Sequence, residues 1–170
     1  FRRRLMRDFF ILNFATLGPI GRKLPAPGTM GSIIGLLVFG ILTGYFHYSI
    51  TSVVLGFIPL VFFGVPLCSR AEKIMNKSDP SEVIWDEFSV MPFIFLFLDE
   101  AYLHQSDIYF YSWLTIGFVL FRFFDIIKPL GISKLQNLPK GWGVMIDDFA
   151  AALISAVILG LFQTFPLSFF

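Results

Sequence analysis

Between residues 143 and 162 the chain reads GVMIDDFAAALISAVILGLF. A helix rises ~1.5 Å per residue and the hydrocarbon core of a bilayer is ~30 Å thick, so this stretch is long enough to span it. Yet Asp147 and Asp148 stand side by side in what reads as its first turn. A carboxylate at the centre of such a helix costs about 2.5–3.5 kcal/mol, and a pair of them needs a reason.

The rest of the chain has the same apolar character. Of its 170 residues, 56% are hydrophobic, 15% are charged and 23 are Phe, which points to a bilayer as the natural solvent. The mean hydropathy of +0.76 agrees. Length allows one compact bundle, so residues 1–170 are expected to form a single membrane-embedded domain. The one cysteine, Cys68, excludes a disulfide framework and a Cys-based zinc site, and reads as a small core hydrophobe. The start, FRRRLMRDFFILNFATLG, combines Arg with a short apolar run but is followed by no small-residue cleavage site. Residues 1–30 are therefore expected to be a basic interfacial segment and loop rather than a signal peptide. With Phe at position 1, the sequence is expected to begin inside the native chain or after a removed tag.

The fold class expected is all-α, a polytopic membrane bundle of about five helices. No formal charge occurs from Leu24 to Ser69, a stretch too long for one span and suited to two, at about 32–46 and 50–68. A third span is expected over 80–98, with Asp79 as N-cap, Pro80 at the first helical position and a kink near Pro92. The fourth runs over about 108–127 and stops before Pro129, and the fifth covers about 144–165. No internal repeat or low-complexity linker interrupts them.

Orientation follows from the basic residues. Arg2, Arg3, Arg4, Arg7, Arg22 and Lys23 precede the first span, Arg70, Lys73 and Lys77 follow the second, and Lys128, Lys134 and Lys140 follow the fourth. The connection Asp99–Asp107 has three acids and no Lys or Arg. Five crossings put every basic cluster on one face, which is expected to be cytoplasmic.

The same topology brings Asp86, Glu87, Asp125, Asp147 and Asp148 to that face. Five carboxylates would repel one another unless a cation sat among them, and Mg²⁺ is the economical choice because it accepts a few carboxylates and keeps waters for a phosphate. Simpler roles stand beside this. Asp147 and Asp148 suit a helix N-terminus electrostatically, and Arg122 with Asp125, three apart, could be a structural ion pair. Before the first span, KLPAPGTMGSIIG (Lys23–Gly35) offers Gly28 and Gly31 for backbone freedom and Thr29 and Ser32 for hydroxyls, opening onto a helix whose first N–H groups attract anions. It is not a Walker A motif, and small residues also serve helix packing.

Four ordered motifs, PAPGTMGS, VIWDEF, FRFFDIIKP and GWGVMIDD, together resemble the phosphatidylglycerophosphatase A family over about Gly18 to Gly160. The resemblance implies Mg²⁺-dependent removal of the terminal phosphate of phosphatidylglycerophosphate in a bacterial inner membrane, at the cytoplasmic face. It implies a membrane lipid as substrate and no nucleic-acid partner, and it leaves the oligomeric state open. It places Asp86, Glu87, Asp125, Asp147 and Asp148 on the family's acidic positions, Arg122 and Lys128 on its basic ones, and Gly28, Thr29, Gly31 and Ser32 on its loop. The chain departs at Val90, at Gly131 and at Ala152, where the family commonly has Gly, Pro and Gly.

No conventional phosphatase nucleophile is in view. Cys68 lacks the downstream Arg of cysteine phosphatases, and His47 and His104 fall in loops on the outer side. Metal-assisted attack by water remains, with catalysis expected from Asp86, Glu87, Asp125 and Asp148. Asp125 and Glu87 are equal choices for general base, and an aspartyl-phosphate stays open. Phosphatase action on another lipid phosphate such as phosphatidic acid, or a non-catalytic transport bundle, are the rival readings.

Overall fold

The computed structural model describes residues 2–136, 138–139 and 141–164. Lys140 and the end of the expected fifth span at residue 165 lie outside them. Among the described residues the secondary structure is all helical, with no strand, in the order α1 (Arg2–Ala15), α2 (Ile20–Lys23), α3 (Pro27–Gly40), α4 (Ile50–Met75), α5 (Trp85–Val90), α6 (Glu100–Leu103), α7 (Asp107–Ile127), α8 (Ile132–Leu135) and α9 (Trp142–Phe162). Four helices are long and apolar enough to cross a membrane: Pro27–Tyr45, Ile50–Met75, Asp107–Ile127 and Trp142–Phe162.

Local chemistry sets their ends. Ser49 and Ser106 cap α4 and α7 by accepting hydrogen bonds from Ser52 N (3.1 Å) and Tyr109 N (3.4 Å). α4 closes on Asn76 and α7 on Lys128, both in the left-handed conformation that ends many helices. α3 begins at Pro27, earlier than expected, because Pro is preorganised for a first helical position. It continues as a π-turn over Ile41–Tyr45. The segment holding Gly28, Thr29, Gly31 and Ser32 is thus the opening of a helix and not a loop in front of it. α9 begins at Trp142, which moves Asp147 and Asp148 from the first turn to the second.

The third crossing departs most from expectation. Asp79 does not cap a helix. Its backbone is left-handed (φ 46°), its N–H donates to Glu72 Oε1 (3.0 Å), and its Oδ2 accepts from Gln136 Nε2 (3.3 Å). Helix begins only at Trp85, and at Met91 it tightens into a 3-10 segment ending at Phe95. Pro92 supplies part of the cause, having no N–H to donate and a ring that clashes with the carbonyl four residues back. The segment still connects the two ends of the bundle. At one end Ile84 N donates to Ala15 O (2.9 Å); at the other, Ile50 N donates to Glu100 Oε1 and Asp99 N to Gln163 Oε1 (both 2.8 Å). The expected third span, 80–98, is therefore not among the four helices long enough to cross; its helical part is enclosed by protein, the condition under which irregular backbone is tolerated at membrane depth. Val90 to Phe95 are buried, Phe95 stacks on Phe39 of α3 (4.4 Å between rings) and Phe93 meets Phe149 of α9 (5.0 Å). Gly35 and Gly117 admit it on two sides, since a Cβ there would stand 2.7 Å from Met91 Cγ and 2.9 Å from Phe95 Cζ.

Cys68 is fully buried, as a core hydrophobe should be. α1 packs beside α4 and leaves Leu5, Met6, Phe9, Phe10 and Phe14 more than half exposed, with Arg3, Arg4 and Arg7 also exposed. An apolar surface bordered by cations suits the bilayer interface.

The turn into α9 gives a stability test. Gly141 has φ +70°, and a Cβ there would lie 2.5 Å from Val65 O and 2.6 Å from Ser69 N, backbone atoms that cannot swing aside. Gly56, inside α4, has open space around it. Gly141→Ala is expected to lose several kcal/mol, and Gly56→Ala to gain about 0.5–1 kcal/mol, from helix propensity. Melting midpoints in detergent should therefore move in opposite directions.

Candidate active site: an acidic cavity at one end of the bundle

The starts of α3, α5 and α9 and the end of α7 meet around a cavity of about 260 Å³. Asp86 and Glu87 reach it from α5, Arg122 and Asp125 from α7, Lys128 from the turn after α7, Asp147 and Asp148 from α9, and Gly28 and Thr29 from α3. Asp86, Asp125, Asp147 and Asp148 are the buried charged residues among those described, and all four line this one space.

The charges sort into three groups. Asp86, Glu87 and Asp148 each offer an oxygen within 4.8 Å of the others, and Glu87 Oε2 is buried with no hydrogen-bond partner. Three carboxylates this close, with an unsatisfied oxygen among them, fit a hard cation held by oxygen ligands. The second group is Arg122 with Asp125, joined through Nη1 and Oδ2 at 2.7 Å. The same Nη1 reaches Ser32 Oγ at 3.4 Å, while Nε is buried without a partner. The third group is Lys128, hydrogen-bonded to Asp147 Oδ2. Burial alone would lower the Lys128 pKa, but the hydrogen bond to Asp147 and the charge of that carboxylate outweigh it. The ammonium stands above its ordinary value and stays protonated.

The small residues of α3 have separate jobs. A Cβ on Gly28 would strike Glu87 Oε1, so Gly28 is what lets the carboxylate of Glu87 lie against the helix start. Gly31 does not line the cavity. It lets α3 approach Ile84, whose carbonyl oxygen would be 2.8 Å from an added Cβ. Ser32 is buried, donates to Gly28 O (2.9 Å) and accepts from Arg122, so it touches the cavity through Arg122. Asp79 and Ser81, for which the sequence suggested no site role, also line the space. Asp79 preceding Pro reads like a cap, and only the left-handed turn there brings it to the cavity.

Fold and cavity together define the class, a polytopic helical membrane protein with a charged, acid-lined cavity at one end of the bundle. Residues 13–163 match the family model Phosphatidylglycerophosphatase A. Similar proteins include Phosphatidylglycerophosphatase A of Haemophilus influenzae, 35% identical over 141 residues, 82% of this chain and 80% of the relative. The Escherichia coli protein of the same name is 35% identical over 136 residues, 78% of this chain and 72% of the relative. A Bacteroides thetaiotaomicron protein, provisionally named a phosphatidylinositol-3-phosphatase, is 31% identical over 140 residues, 80% of this chain and 82% of its own. No solved structure matches significantly. The chain belongs to the phosphatidylglycerophosphatase A family, and it is a phosphatase.

Proposed function

We propose that the protein hydrolyses phosphatidylglycerophosphate to phosphatidylglycerol and inorganic phosphate, with Mg²⁺, during phospholipid synthesis at the cytoplasmic face of the bacterial inner membrane. The observation that carries this reading is the meeting of three close carboxylates with Arg122 and Lys128 around one cavity, in a chain of this family. Carboxylates suit the cation, the two cations suit the phosphate, and the apolar helices leave the acyl chains in the bilayer. Basic residues near the cavity end, among them Arg22, Lys23, Arg70, Lys73 and Lys134, support a cytoplasmic orientation.

Asp86, Glu87 and Asp148 would hold the metal, with Asp125 and Asp147 beside them. When bound, Mg²⁺ supplies a water of lowered pKa and neutralises charge on the phosphoryl oxygens. Arg122 binds the phosphate through the guanidinium donors that Asp125 and Ser32 leave free, Nε among them, and Asp125 keeps that fork in place. Lys128 adds a point charge, and Gly28 and Thr29 bring the helix start to the anion. The water oxygen would bond to phosphorus as the ester P–O bond breaks, and the headgroup oxygen would leave as the alcohol, taking up the proton that the water gave to the general base. Asp125 and Glu87 are the two acceptors for the proton that the water gives up.

A transport bundle would distribute ionisable groups through the membrane depth; here the buried ones share one cavity. The Bacteroides relative favours a second reading within the same chemistry, a different lipid phosphomonoester. Phosphatidylglycerophosphate and phosphatidylinositol 3-phosphate both carry a hydroxyl close to the phosphate ester, and phosphatidic acid carries none.

The test is phosphate release from phosphatidylglycerophosphate by purified protein in detergent. Release is expected with Mg²⁺, none in excess EDTA, and recovery when Mg²⁺ is restored. Undiminished release in EDTA would remove the metal from the reading.

A further inference from the structure

Asp147 stands apart from the other acids. It is 2% exposed and lines the cavity, and its Oδ2 is taken by Lys128, yet its Oδ1 is buried with no hydrogen-bond partner. An ionised carboxylate is acceptor-only, and a buried acceptor left unmade costs about 1–3 kcal/mol. Oδ1 therefore keeps acceptor capacity that no donor among the described residues meets within hydrogen-bond geometry.

The surroundings narrow what that donor is. Among the described residues Asp147 is not in the trio whose oxygens converge, and the ammonium of Lys128 on the same carboxylate repels a second cation. An anion is repelled by the carboxylate itself. A neutral donor remains, a water or a hydroxyl of the ligand. The cavity, about 260 Å³, takes a phosphate and the few headgroup atoms attached to it, with the acyl chains outside. Arg122 and Lys128 bind the phosphate, so Asp147, held by Lys128, lies beside the atoms that bear the scissile ester.

We propose that Asp147 Oδ1 accepts a hydrogen bond from a headgroup hydroxyl next to the scissile phosphate, and so selects lipid phosphomonoesters that carry such a hydroxyl over those, like phosphatidic acid, that lack it. The proposal rests on the lipid phosphatase reading above. Asp147 is then a specificity-determining residue, and its bond to Lys128 couples recognition of the hydroxyl to the placement of a phosphate-binding cation. A site built to bond a hydroxyl rejects an analogue without it, because the acceptor is left unpaired.

The experiment uses the intact protein in detergent and two non-hydrolysable phosphonate analogues of the phosphatidylglycerophosphate headgroup, one with the hydroxyl and one with hydrogen in its place. The wild type should bind the hydroxyl form about tenfold to a hundredfold more tightly, the range for a hydrogen bond to a charged group. The double variant Asp147→Ala/Lys128→Met, which leaves no orphaned ammonium, should bind both more weakly and within about twofold of each other, since neither analogue then leaves a buried acceptor unpaired. A purely structural role would weaken both analogues equally and leave their ratio unchanged, and that result overturns the proposal. Equal binding of the two by the wild type overturns it even if the variant does not fold. Mn²⁺ titration followed by EPR should count the same number of ions in both proteins, and a lost ion would make Oδ1 a metal ligand and overturn the assignment. Binding of neither analogue, with no phosphate released from the lipid, overturns the substrate reading and the proposal together. Release from the lipid with equal binding overturns the proposal alone.

Discussion

Asp148→Asn is expected to lower phosphate release by about a hundredfold to a thousandfold or more, the scale on which charge stabilisation of a transferring phosphoryl group operates. Asp148 is buried and contributes one of the three oxygens that converge with those of Asp86 and Glu87. Asn keeps its shape but removes a negative charge from the ligand set. The same change relieves repulsion among like charges in the metal-free protein. The variant should therefore melt no lower than the wild type without metal. Metal that binds only the folded state raises the midpoint, so the wild type should gain stability on adding Mg²⁺ and the variant should gain little. Melting curves with and without Mg²⁺, beside the phosphate assay, check both halves. Full turnover, or an unchanged Mg²⁺ shift, would remove Asp148 from the ligands.

Arg122→Lys carries the second large effect, a loss of about a hundredfold in kcat/KM. Arg122 serves several partners at once. Nη1 holds Asp125 at 2.7 Å and touches Ser32 at 3.4 Å, while buried Nε awaits another acceptor. A planar fork does this, and a lysine ammonium, compact and at the end of a flexible stem, does not. Retaining the positive charge avoids stranding Asp125, whose burial without a partner would cost about 3–5 kcal/mol and confuse a folding defect with a catalytic one. If the fork is what binds phosphate, inhibition by inorganic phosphate should weaken in step with kcat/KM. Unaltered product inhibition would leave Arg122 a structural partner of Asp125.

Much of the architecture is legible from the linear chain because membrane spans are written as long uncharged runs. The fourth span was expected at 108–127 and the helix is Asp107–Ile127, since caps and the Lys-Pro stop are local signals. The second was expected to end near Cys68, yet α4 continues to Met75, because a helix does not stop where the bilayer does. The third could not be read correctly. Asp79, Pro80 and Glu82 imitate a helix start, while the actual start at Trp85 depends on Ala15 receiving the N–H of Ile84, a contact across most of the N-terminal region.

The site divides in the same way. That acids and bases would collect at one end follows from counting crossings, and the motif resemblance adds which residues matter. How they pair does not follow. Nothing along the chain tells Asp147 from Asp148, neighbours of the same type on one helix. A turn of about 100° per residue separates them, so one faces Lys128 and the other faces Asp86 and Glu87. Composition and charge order determined a membrane bundle with an acidic, cation-bearing end, because transfer from water to lipid acts on each residue where it stands. Which carboxylates share a cation, which hold a base, and which oxygen is left for a ligand were decided by packing, because those depend on ångström-scale distances between residues remote in sequence.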